Sequence, residues 1–233
     1  VATVTMDLNG PGETLTLNGG TGIVNEALPA TFNNGFQGAI GSGNLRNLAG
    51  DNSWLGGILI NNTTTNFFVA DTTTLTLPGV IYRNVADQGA NFIKVGLGTL
   101  ELSGTASNTN RGNVFVNQGI LRLNKQGAAQ AISGGEVFVG DNVGPDDSDR
   151  LIYGTTAGTD QINNQVVRIS RTGKFDLNGK NDTINNSFVL DVGPGMSADI
   201  ATGSGVLTNS GTLFAVGQAG ANTAAVINGI YDL

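Results

Sequence analysis

Carboxylates are the side chains to weigh first, because the chain has no histidine and no cysteine. Their absence removes the usual nucleophile–base pairs, thiol catalysis, disulfides and thiolate zinc sites. The densest acidic group is Asp141, Asp146, Asp147 and Asp149, in the loop GDNVGPDDSDR at 140–150. Oxygen donors at this density suit Ca²⁺, which takes about six to eight of them. Yet the loop lacks the glycine an EF-hand needs at its sixth position, counted from Asp147. The Gly-Gly-x-Gly-x-Asp repeat of calcium β-rolls is missing as well. The expectation is a solvated loop and no metal, with these four aspartates as the candidate ligands should Ca²⁺ bind. Glycoside cleavage needs two carboxylates about 5–9.5 Å apart in a groove. Glu101 and Glu136 are the mid-chain glutamates, in separate segments with no aromatic cluster beside them. Arg168 and Arg171 could be imagined as the base of a lyase, but read as ordinary outward residues. Strings such as GSG and GLG are corners; no strand–glycine loop–helix unit exists to cradle a phosphate. The residues therefore predict no enzyme and no cofactor.

What could position side chains is a set of short strands. Thr99–Leu102 alternates polar and apolar, as does Ile120–Leu123, the pattern of a strand with one buried face. GTLELSG at 98–104 returns 21 residues later as GILRLNK at 119–125, with Val114–Val116 between them. Val137–Val139 repeats the VFV triplet 23 residues on. A chain that returns to an equivalent strand every 21–23 residues is a solenoid. VVRISRTGKFDLNG at 166–179 and VLTNSGTLFAV at 206–216 read as further copies of one strand–corner–strand layout. MDLNGPGETL at 6–15 resembles FDLNGKNDTI at 175–184. Composition agrees: 36 glycines, 39% apolar and 12% charged residues favour strands and turns over helices. The Thr and Asn runs at 61–66 and 72–74 form either coil-to-coil hydrogen-bonded ladders or a solvated polar face.

The stretch GLGTLELSGTASNTNRGNVFVNQGILRL at 96–123 resembles the autotransporter-associated β-strand repeat of bacterial surface passengers. The likeness lies in G-x-G-T-L-x-L-S-G, a polar loop, then G-x-x-x-V-x-x-G-x-L-x-L. GSGNLRNLAGDNSWLGGILI at 41–60 looks like a second module of the same family. The resemblance implies a right-handed parallel β-helix, exported and displayed outside the bacterial cell, and it implies no chemistry. The expected architecture is thus all-β: one single-stranded right-handed parallel β-helix over 1–233, of about ten coils.

The net charge of −7 and pI near 4.4 argue against nucleic acid and anionic membrane as partners. No run of about 18 apolar residues is present to span a bilayer as a helix. Neither end carries a polar cap, so each is expected to fold back, to continue into a longer passenger, or to stack on another copy. In the last case the partner is the chain itself, and the interface joins Val4, Met6 and Leu8 to Val226, Ile227, Ile230 and Tyr231. The function expected is an extracellular or cell-surface scaffold, a building block of a fibre or sheath, or a segment of a surface passenger. The alternative is an adhesin that binds glycan or a host or matrix protein. That reading needs an exposed aromatic patch around Trp54, Phe67 and Phe68, whereas packing of Trp54 on a coil face is the plainer expectation.

Overall fold

The computed structural model describes residues 6–8, 15–18, 22–24, 30–32, 45–60, 64–83 and 90–233. Among them there is no helix. Every pairing between strands is parallel, and the strands line three sheets that the chain visits in turn. Nine strands stack in the first sheet, from Leu15–Asn18 to Leu213–Gly217. The second runs from Gly22–Val24 to Val226–Asp232. The third begins with Met6–Leu8, Ala30–Phe32, Ile58–Ile60 and Ile81–Tyr82. It then thins to single bridges, Tyr82 to Thr109 and Ile132 to Ile162. It widens again where Asp182–Thr183 pairs with Leu207 and Thr208. The result is a parallel β-solenoid of about seven turns.

The expected count was about ten, from dividing the chain by 21–23 residues. Coils are longer than that where loops intervene. Val114 pairs with Val137, but Val137 pairs with Val167, 30 residues on, because the loop at 140–148 interrupts that coil.

Alternation sets the core. Leu75, Leu100, Leu121, Leu151, Phe175 and Ile200 are consecutive partners along the second sheet, and each is fully buried. Val137, Val167 and Phe188 form the matching row in the first sheet. Burial of each such side chain contributes about 1.5–3 kcal/mol. The intervening residues face solvent and pair by charge: Glu101 sits opposite Arg122, with 3.1 Å between carboxylate and guanidinium.

Corners are tied by side chains that bond to the next coil. Asn91 Oδ1 accepts from the Asn113 amide at 3.0 Å, and Asn113 Oδ1 accepts from the Glu136 amide at 2.8 Å. Asn47 Nδ2 donates to Thr73 Oγ1 at 2.9 Å, so the 72–74 run does join a ladder. Thr64, Thr65 and Asn66 are buried, while residues 61–63 lie outside the described residues. Glycine is required where corners touch. Gly96 and Gly119 both have positive φ, and a Cβ on Gly119 would lie 2.6 Å from the Gly96 carbonyl oxygen.

Candidate functional site

Exposed apolar residues concentrate on the last coil. Leu213 continues the buried row of Val167 and Phe188, yet it is 38% exposed because no strand lies above it. Ile227 continues the row of Phe175 and Ile200, and Tyr231 that of Leu207; both are half-buried against the core. The Tyr231 ring meets Phe188 edge-on at 6.3 Å, and its buried hydroxyl has no hydrogen-bond partner. Val226 (46%) and Ile230 (52%) flank this row on the outside, while exposed Phe214 and Val216 face outward from the first sheet. The structure therefore splits the four expected C-terminal contacts into an inner pair, Ile227 and Tyr231, and an outer pair, Val226 and Ile230. Leu213, Phe214 and Val216 are exposed apolar residues of the same last coil that the expected contacts do not include. Their signal was present in VLTNSGTLFAV, which ends on a strand.

At the opposite end, Met6 and Leu8 belong to the first described strand of the third sheet, which pairs with Ala30–Phe32 among the described residues. Val4 lies outside the described residues. Among the described residues the last coil thus presents a parallel strand edge, whose N–H and C=O groups template a further strand.

Each aspartate of the acidic cluster has a partner of its own. Asp141 Oδ1 accepts from the Val143 amide at 2.8 Å. Asp146 accepts from the Ser197 amide at 3.2 Å, and Asp147 pairs with the Lys174 ammonium at 2.5 Å. Asp149 is buried and accepts from Thr172 Oγ1 at 2.5 Å. Among the described residues no group of three or more such side chains could hold a metal. Each of the four carboxylates is thus engaged by its own partner. Glu101 and Glu136 are likewise committed, to Arg122 and Arg168 respectively. Arg171 donates to Asn142 Oδ1 at 3.1 Å.

Comparison with protein families, with curated proteins and with solved structures finds no match for this chain. Its own geometry therefore carries the functional reading.

The aromatic patch expected for glycan contact does not form at Trp54, Phe67 and Phe68. Trp54 and Phe67 are 3% and 0% exposed, because their positions in the alternation face inward. The Phe67 ring stacks on Phe92 within the core at 4.5 Å. Phe68 is half-buried, with the Arg46 guanidinium 5.0 Å above its ring. The outward aromatic pair is Phe115 and Phe138, stacked face to face at 4.7 Å with Arg168 over Phe138. Stacking turns their faces toward each other and leaves only edges to solvent.

Buried ionisable groups were not foreseen. Lys94 is fully buried, and its ammonium donates to the carbonyls of Val95 (3.0 Å), Gly96 (2.6 Å) and Gln118 (2.9 Å). Burial pulls its pKa down to about 7, partly offset by the charge of Asp149. Lys125, also fully buried, donates to the Gly79 carbonyl at 3.1 Å, and burial lowers its pKa to about 8. Asp149 is pushed up to about 6 by burial, with its hydrogen bond to Thr172 opposing. Asp182 is pushed up to about 7 by burial, against bonds from Tyr153 and the Ile162 amide. The signal was parity: Lys94 follows Phe92, and Lys125 follows Leu121 and Leu123, on the inward side of the alternation. These groups serve corners. Each ammonium donates to backbone carbonyls at its corner.

Proposed function

We propose that this chain is a structural scaffold, a rod whose end coils stack on further coils. The observation that carries the reading is the last coil. Its core row is open at Leu213, and its strands offer an unpaired parallel edge in register with the coils beneath. A further coil, from another copy or from a longer surface passenger, would cover both at once. The acidic net charge and the resemblance of 96–123 to the autotransporter-associated repeat support display outside a bacterial cell. Head-to-tail stacking of identical copies is heterologous, and it propagates into a fibre when the rotation does not close.

The test is negative-stain electron microscopy of purified protein at rising concentration. About seven turns, with up to nine strands stacked on one face, give an axial repeat of roughly 35–45 Å at a spacing of about 4.8 Å. Thin fibres with that repeat are the expected result. Isolated short rods at every concentration would contradict self-association.

A further inference from the structure

A groove runs along the outside of the second sheet, beside its corner with the third. It consists of two concavities, of about 280 Å³ and about 460 Å³, that share Asn178. Its wall is one outward-facing row. Arg122, Ile152, Asp176, Ala201 and Asn228 are successive register partners on five coils. Four steps of about 4.8 Å make this row roughly 20 Å long. Its floor is low because Gly154, Gly179 and Gly203 line it at successive coils.

We infer that this groove binds a neutral oligosaccharide chain, laid parallel to the solenoid axis. The polar groups are of the kind that hydroxyls require. Thr155, Ser204 and Asn228 line the groove, and their side chains make no hydrogen bond within the described structure, so each can donate and accept. The Asp176 carboxylate at the centre accepts from Arg150 Nη2 at 3.3 Å and from the Asn178 amide at 2.8 Å. Its remaining lone pairs are open to neighbouring hydroxyls of a sugar ring. The groove's charges are matched locally, Glu101 by Arg122 and Asp176 by Arg150. A net charge of −7 on the surrounding molecule repels a polyanion.

An extended peptide fits less well. Peptides gain affinity by adding a strand to an open sheet edge. This groove crosses the middle of a sheet, where ladder pairing already consumes the backbone groups.

The experiment is isothermal titration of the intact chain with cellohexaose, mannohexaose, chitohexaose and hexagalacturonate. At least one neutral hexasaccharide should bind saturably, and more tightly than its own disaccharide, because a longer chain engages more coils. Ser204→Leu fills the groove at an exposed position, and Asp176→Ala removes the central acceptor. Each should weaken binding about tenfold or more, Ser204→Leu with the melting temperature unchanged and Asp176→Ala with the protein still folded but less stable for want of its bonds to Arg150 and Asn178. Thr155→Leu, in the other concavity, provides the same test should either variant fail to fold. Absence of binding by all three neutral chains would overturn the inference. Binding that survives the folded variants, or binding of hexagalacturonate alone, would overturn it equally.

Discussion

A lysine ammonium held by three backbone carbonyls is the least expected side chain of this solenoid. Lys94 does the work of a bound cation at one corner, and Lys125 does so at the following corner of the next coil. Lys94→Met keeps the bulk and orphans those carbonyls. Each lost bond to a buried polar group costs about 1–3 kcal/mol, so this variant should lose a few kcal/mol in urea denaturation. The buried groups also set a pH profile. Lys94 and Lys125 have lowered pKa values, so their contribution is present in full above 10.5 and is lost as pH falls through about 8 and about 7. Asp149 and Asp182 have raised values, so theirs is present in full below 3.8 and is lost as pH rises through about 6 and about 7. Both limbs descend toward neutrality. Urea midpoints should therefore be lowest near pH 7 and higher at about pH 5 and about pH 9.5. Asp182→Asn should flatten the acid limb alone. A maximum at neutral pH would show that these groups do not govern the profile.

At the scale of strands and corners, register depends on core rows and on glycine columns. Leu121→Ala opens a cavity in a row buried from Leu75 to Ile200 and should cost about 2–5 kcal/mol, read from the urea midpoint. Gly119→Ala combines a positive φ with a Cβ 2.6 Å from the Gly96 carbonyl oxygen, and about 1–3 kcal/mol is expected from the backbone alone. Asn113→Ala, which removes one rung of a corner ladder, should cost about 1 kcal/mol by the same measurement.

The strands themselves were legible. Leu100 opposite Leu121 and Val114 opposite Val137 are the pairings that the 21- and 23-residue repeats predict. The face that each strand occupies was less legible. VLTNSGTLFAV looked like a copy of VVRISRTGKFDLNG, yet Val206–Thr208 continues the third face and Leu213–Gly217 belongs to the first. MDLNG and FDLNG are out of phase too: Met6–Leu8 lies in the third sheet and Gly173–Asp176 in the second. Every face of a solenoid uses the same two-residue alternation, so local pattern identifies a strand without identifying its sheet. The adhesin alternative needs Trp54 and Phe67 on the surface, whereas the alternation turns both inward, in line with the plainer expectation for Trp54. The groove was invisible in sequence. Its wall is built from residues about 24 to 30 positions apart that only coil register brings together.

For the whole molecule, the account rests on the open last coil. A solenoid gains stability from each neighbouring interface, so an uncovered coil loses what an added copy would restore. Leu213, Phe214, Val216, Val226 and Ile230 hold apolar surface in water at that end. Association through them should strengthen with salt, which screens the repulsion between copies of net charge −7. Sedimentation velocity across a concentration series tests this most directly, on the unmodified chain and on Leu213→Lys, which charges the open core row at an exposed position. The account predicts a sedimentation coefficient that rises with concentration in the unmodified chain and stays at the monomer value in the variant. A single monomer boundary for the unmodified chain at every concentration would contradict it.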